Sequence, residues 1–208
     1  MHVLAIRKPT TGTEQEILDR MHRLRAKVFR TRLNWNVRCR DGREFDEFDK
    51  LNPTYLIAQS SRGEVAGCVR LLPAIGQTML ATVFPQLLPG RSLASHPGMV
   101  ESSRFCVDTE INEGRGHGTV HLATLTMFAG IVEWCLSKGY SELVTATDTR
   151  LERILNRVGW RLRRLGSPQL INETRSIAGV LPIERSTFER LRPEGYQSSL
   201  DSNPAKAA

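Results

Sequence analysis

Arg25, Phe29, Trp35, Asp46 and Asp49 fall in one stretch, LRAKVFRTRLNWNVRCRDGREFDEFD, at residues 24–49. The stretch reads as neither a clean helix nor a clean strand. A basic, aromatic and acidic mix of this kind is poor core material. Connections longer than about 12–15 residues are usually functional or disordered, and the aromatic side chains argue against disorder. The simplest reading is a substrate-wrapping segment with an aromatic wall, a cation and a carboxylate pair. Asp46 and Asp49 make a poor metal site on their own. They suit an ammonium or a ribose hydroxyl, or else a solvated acidic turn. The faces of Phe29 and Trp35 can hold a sulfonium or another cation, or they belong to the core.

VESSRFCV at residues 100–107 reads as a strand. By alternation Glu101, Ser103, Phe105 and Val107 share one face, and Ser102, Arg104 and Cys106 the other. Glu101 and Arg104 therefore fall on opposite faces of an ideal strand. They do different jobs, or the strand is bulged and both turn toward one site. Bulges are common beside active sites, and a splayed strand frees backbone N–H groups for an oxyanion hole. The alternative is an ion pair on an edge strand. Arg70, on a neighbouring strand, is a surface arginine alone and a charge organiser beside Glu101 and Arg104.

Other patterns carry less chemistry. Gly114–Gly118 opens a helix, and a helix N-terminus favours phosphate; simple helix initiation explains it as well. His117 and His121 have a zinc-like i,i+4 spacing, but no Glu lies between them, so this is not the HExxH motif. From Arg150 to Arg164 the charges are six positive and one negative. Such a run is usually a solvated helix face; it could also dock an acidic protein. Nucleic acid is the rival partner, but with Trp160 alone among them these arginines are not interleaved with aromatic residues as stacking platforms would be.

The elements that must position these groups follow from hydrophobic spacing. Residues 14–29 have helical periodicity. Residues 55–59 and 64–72 read as a hairpin across a Gly-containing turn, and 79–88 as a helical turn and loop. After the 100–107 strand, a long apolar helix runs from about Thr119 to Ser137, stopped by Gly139. A strand at 141–147, a helix at 149–158, a strand near 177–183 and a helix at 184–191 complete the order. This predicts an α/β three-layer sandwich with a mixed, largely antiparallel sheet, acetyltransferase-like in plan. We expect one domain over residues 1–194 and a flexible tail over 195–208.

The chain has 208 residues and a net charge of +7, which favours an acidic partner. Its four cysteines are scattered with no CxxC pair, the pattern of reduced thiols in a cytoplasmic protein. No run of 18 apolar residues exists, so no membrane insertion is expected.

Taken together the residues resemble the acyl-homoserine-lactone synthases, the autoinducer synthases of bacterial quorum sensing, over roughly Leu4 to Leu191. Arg25, Phe29, Trp35, Asp46, Asp49, Arg70, Glu101 and Arg104 stand in the order and spacing of that family's hallmark set. VFRTRLNW, FDEFD, YLIA, GCVRLLP and FPQLL before ESSRFCVD surround them. The resemblance implies acyl transfer from acyl carrier protein to the amine of S-adenosylmethionine. Lactonisation would then release methylthioadenosine, with no metal and no cofactor beyond the co-substrate. It implies Glu101 as base, with Arg104 and Arg70 in the catalytic group. Arg25, Phe29, Trp35, Asp46, Asp49 and Phe105 would bind substrate, and Arg150, Arg153 and Arg157 would dock the carrier. In the family, a threonine on the 141–147 strand accompanies 3-oxo acyl chains, which singles out Thr145; ordinary strand propensity is the other explanation. A coenzyme A-dependent N-acetyltransferase is the nearest alternative. Its pyrophosphate turn would use Arg115 and Gly118, but Val120 occupies the last small position. A basic nucleic-acid-binding module explains the charge but neither Glu101 nor the acidic pair.

Overall fold

The computed structural model describes residues 1–111 and 120–200. Their strands are β1 (His2–Ile6), β2 (Cys39–Arg40), β3 (Arg43–Glu44), β4 (Thr54–Gln59), β5 (Val65–Pro73), β6 (Met99–Val107), β7 (Glu142–Asp148), β8 (Arg163–Arg164), β9 (Gln169–Ile171), β10 (Thr174–Pro182) and β11 (Gln197–Ser199). The helices are α1 (Gly12–Arg25), α2 (Met79–Val83), α3 (Leu122–Ser137), α4 (Thr149–Arg157) and α5 (Arg185–Leu191). The main sheet runs β11-β1-β4-β5-β6-β7-β10-β8, with β9 also on β10, and β2–β3 is a separate small hairpin. Only β11–β1 and β6–β7 pair in parallel.

Alternation along the strands sends apolar groups to both faces of the sheet. Ile57, Tyr55 and Cys68 meet Ile17, Met21 and Leu24 of α1. Leu56, Ala58 and Val69 meet Met127, Phe128 and Ile131 of α3. The result is the expected three-layer α/β sandwich with a mixed, mostly antiparallel sheet. Thr11 starts α1 through a reciprocal cap with Glu14, which satisfies two N–H groups that the first turn leaves open.

The 14–29 periodicity holds, but its regular part stops at Arg25. Ala26–Arg32 continues as a π-helix, closed by Leu33 N–H on the Val28 carbonyl at 2.9 Å. Such wide turns occur often at functional sites. Here the wide turn precedes Trp35, whose ring stacks on Phe29 at 5.3 Å.

Two differences concern the sheet edge. Residues 2–6 form β1, a strand not among the predicted elements. The tail expected to fray from Gly195 instead forms β11, which pairs with β1, and Leu200 is buried behind it. The Gly114–Gly118 stretch, His117 and residues 201–208 lie outside the described residues. The described part of the long helix begins at Leu122, with His121 as its N-cap.

Candidate active site

β5 and β6 fall out of register between Cys68 and Arg70. Cys68 faces Cys106, whereas Arg70 faces Ser103. One β5 residue, Val69, therefore opposes two on β6, which is the bulged one of the two alternatives that the Glu101–Arg104 spacing left open. Arg104 sits on it with φ +56°, a left-handed conformation unusual for a residue with a side chain. The extra residue turns Arg104 toward the elements that Glu101 also faces. On its other side β6 pairs with β7 only as far as Ser102 opposite Thr145, although both strands continue. The splay opens a cavity of about 770 Å³ bounded by the π-helical segment, α2, β6, β7, α4 and the β9–β10 hairpin. Of the residues singled out from sequence, Phe29, Trp35, Glu101, Arg104, Phe105, His121, Thr145 and Arg157 are among those that line it.

Behind that wall lies a network of guanidinium and carboxylate groups. Arg25 donates from both terminal nitrogens to Asp49, at 2.8 and 2.9 Å, and from Nε to Glu44 at 2.5 Å. Arg70 donates to Asp46, to Asp49 at 2.9 Å and to Ser103 Oγ at 3.0 Å. Arg104 reaches Glu44 at 3.0 Å and pairs with Asp46 Oδ2 at 2.9 Å. That last contact lacks hydrogen-bond alignment, and Asp46 Oδ2 has no hydrogen-bond partner among the described residues. Arg25, Arg70 and Glu44 are fully buried. Unpaired, any of them would carry a desolvation penalty of several kcal/mol.

The local sequence explains why the two aspartates stand three apart. Asp46 caps the short 3-10 turn Glu47–Leu51 through Phe48 N–H at 3.0 Å, and Asp49 reaches back to Asp46 N–H at 2.8 Å. Asp49 also accepts from Tyr55 Oη at 2.7 Å. Burial pushes the Asp49 carboxyl up, but the hydrogen bonds and charge of Arg25, helped by Arg70, outweigh it. The carboxyl is held well below the ordinary range. Arg25, Arg70, Asp46 and Asp49 are not among the residues that line the cavity. Their polar groups are spent largely on one another, so they hold the wall rather than form it.

Glu101 is buried and accepts two backbone N–H groups from the first turn of α2, Met79 at 3.0 Å and Leu80 at 2.6 Å. Burial raises its pKa above the usual carboxylate value, and the two N–H bonds only partly offset this. Two residues that sequence reasoning passed over join these parts. Glu44 bridges Arg25 and Arg104, and its burial has no signal in the sequence. Met79 Sδ lies 3.4 Å from Arg70 Nη2 and 3.3 Å from Arg104 Nη1. Its apolar type gives no sign of these contacts. The Arg104 guanidinium lies 5.5 Å from the centre of the Phe29 ring, within cation–π range.

On the opposite wall Thr145 Oγ1 donates to the Ser102 carbonyl at 2.9 Å. Phe105 stacks on Phe128 of α3 at 5.3 Å. Asp148 caps α4 through Arg150 and Leu151 N–H, which sets the helix beside the cavity. Arg157 reaches the cavity wall, while Arg150 and Arg153 are exposed. Arg164 is engaged by Glu152 at 2.6 and 2.7 Å, so part of the basic run serves the fold.

Among known proteins, the family model described as autoinducer synthase matches residues 10–191. A probable acyl-homoserine-lactone synthase of Sinorhizobium fredii is 53% identical over 208 residues, covering all of both chains. An acyl-homoserine-lactone synthase of Agrobacterium fabrum is 54% identical over 198 residues, covering 95% of this chain and 94% of the relative. Among solved structures, a CoA-dependent acyl-homoserine lactone synthase with SAM and isopentyl-CoA superposes with a TM-score of 0.80. It shares 28% identity and covers 91% of this chain and 86% of its own.

Proposed function

The chain belongs to the autoinducer synthase family, as an acyl-homoserine-lactone synthase, and from that premise we propose that it joins an acyl group from acyl carrier protein to S-adenosylmethionine. The carrying observation is the bulge in β6. It brings Arg104 into one network with Arg70 and Asp46, while Glu101 and Arg104 both line the cavity that opens where β6 leaves β7.

In this scheme Glu101, directly or through a water, takes the proton from the substrate ammonium. The freed amine attacks the thioester carbonyl. Backbone N–H groups of β6 beyond the last β7 pairing stabilise the oxyanion. The C–S bond of the thioester breaks, and the carrier thiol leaves with a proton. The substrate's own carboxylate oxygen then attacks the carbon beside the sulfonium. That carbon–sulfur bond breaks, and methylthioadenosine departs as the lactone closes. Closure depends on a folded conformer, so positioning is the protein's contribution. Phe29 and Trp35 supply an aromatic wall for the sulfonium and adenosine part, and Phe105 one for the acyl chain. Arg25, Arg70, Asp46 and Asp49 act through Arg104 by fixing where it points. The chemistry needs no resident cofactor. Both substrates are made inside the cell, which puts the reaction in the cytoplasm; no described helix is long and apolar enough to cross a membrane.

An acidic carrier is the favoured donor because Arg150 and Arg153 are exposed on the helix whose Arg157 reaches the cavity. Acyl-coenzyme A is the second reading, since the superposed synthase is CoA-dependent. Incubation with S-adenosylmethionine and either donor, at matched acyl length, distinguishes them by methylthioadenosine release. No release with either donor at any acyl length would sink the scheme. Reversing charge in Arg153→Glu/Arg157→Glu is expected to raise the apparent KM for acyl carrier protein about tenfold or more at low salt. The effect should fade as salt screens it. A flat KM places the docking surface elsewhere.

Thr145 is proposed to favour 3-oxo acyl chains by turning its hydroxyl from the Ser102 carbonyl to the extra oxygen. Thr145→Val is expected to lower the preference for 3-oxo over unsubstituted donors by roughly fivefold, the worth of about 1 kcal/mol for a hydrogen bond. Competition between the two donors measures it; an unchanged product ratio removes the role.

A further inference from the structure

Two thiols that the reaction scheme does not use face each other beside the bulge. Cys68 on β5 and Cys106 on β6 are direct cross-strand partners, and their Sγ atoms are 3.5 Å apart. They form the pair immediately before the register slips, and the Arg104 carbonyl lies 4.0 Å from Cys68 Sγ. Residues opposite each other in an antiparallel ladder have Cα atoms about 4.5–5.5 Å apart. A disulfide spans about 4.4–6.8 Å between Cα atoms. The ladder therefore brings the two backbones within range of a disulfide, and the remaining gap between the sulfur atoms closes to about 2.05 Å through side-chain rotation and a small shift of the strands. Both side chains are buried, but Cys106 is part of the cavity wall, which gives a small reagent a route to it. Burial and the neighbouring thiol push the Cys106 thiol up, so the pair reacts slowly and only with a reagent that enters the site. Cys39 and Cys135 lack this arrangement. Cys39 is half-buried on the outer β2–β3 hairpin, and Cys135 lies on the core-facing side of α3.

We propose that Cys68 and Cys106 form an oxidation site that switches the synthase off. A two-electron oxidant of the azodicarboxamide class takes two electrons and two protons from the thiols and becomes the hydrazine. The Sγ–Sγ bond forms, and a dithiol reductant reverses it. The coupling to catalysis is mechanical. Closing the sulfur gap draws β5 and β6 together next to Arg104, whose guanidinium is held by Glu44, Asp46 and Met79 and faces Phe29. A misplacement on the order of 1 Å at a positioned group costs up to about a hundredfold in rate.

The test treats the folded full chain with diamide, blocks remaining thiols by alkylation and maps cross-linked peptides after digestion without reductant. The expected result is a peptide joining Cys68 to Cys106. Methylthioadenosine release should fall about tenfold or more and recover with dithiothreitol. Cys68→Ser, or Cys68→Ala if the serine variant folds poorly, should keep its release through the same treatment. Absence of the cross-link, its formation between other cysteines, full activity of the cross-linked protein, or an equal loss in the Cys68 variants would each overturn the proposal. The peptide map needs no substrate, so it stands or falls separately from the choice of acyl donor.

Discussion

Glu101→Gln is expected to cut methylthioadenosine release by about 10²–10⁴-fold, the usual worth of a positioned general base. The pH profile should change with it. Burial raises the Glu101 pKa, so in the parent protein release should climb with pH through a limb above the ordinary carboxylate range, where the base form appears. The variant should lack that limb. Glutamine also changes the structure, because Glu101 accepts N–H groups from both Met79 and Leu80. Its amide nitrogen must face one of those donors, so α2 loosens even if no proton is moved. Thermal unfolding of the same variant separates the two roles. A stability loss with an intact acid limb in the residual activity would leave Glu101 as a clamp for α2 and not a base. An unaffected rate would remove it from the mechanism.

The second large effect is expected at a residue remote from the reacting atoms. Glu44→Gln should destabilise the fold by about 3–5 kcal/mol, the cost of leaving buried partners uncompensated. Glu44 is fully buried, with one oxygen on Arg25 and the other on Arg104. Glutamine offers one acceptor and turns an NH₂ donor toward the other guanidinium. The loss would be a large part of a typical total stability of about 5–15 kcal/mol. Urea unfolding measures it directly. A change below about 1 kcal/mol would mean that Arg25 and Arg104 find other partners and that the network is not the support proposed here. Glu44→Asp keeps the charge on a shorter stem and should recover part of the stability.

Much of the fold was legible because the sheet faces alternate and the helices have periodic apolar faces. The β4–β5 hairpin, β6, β7 and α4 lie within a residue or two of where spacing put them. The bulge was legible too, since Glu101 and Arg104 could meet only if β6 gained a residue. What escaped had no periodic signal. β1 and β11 are short strands at one side of the sheet, and three residues of QSS look like any polar tail until a partner strand is present. Regular α-helix gives way to π at Ala26 without a break in the apolar pattern, so residues 14–29 read as one helix. Within the site, residue type revealed the aromatic wall and the charges but not their depth. Arg25 and Asp49 read as substrate contacts, and the structure puts them behind the wall. Glu44 was hidden because burial of a carboxylate depends on arginines far along the chain, Arg104 above all.

The pairing of β11 with β1 has a consequence for how the chain is made. His2 meets Gln197 and Leu4 meets Ser199, so this contact has about the longest loop to close in the molecule, and such contacts form late. During synthesis β1 can already lie on β4, but its other side stays open until residue 199 has left the ribosome. An open strand edge is a template for pairing with other chains. A nascent or C-terminally clipped chain therefore exposes the β1 edge that three-residue β11 otherwise covers, and removal of residues 197–200 should show first as aggregation during expression.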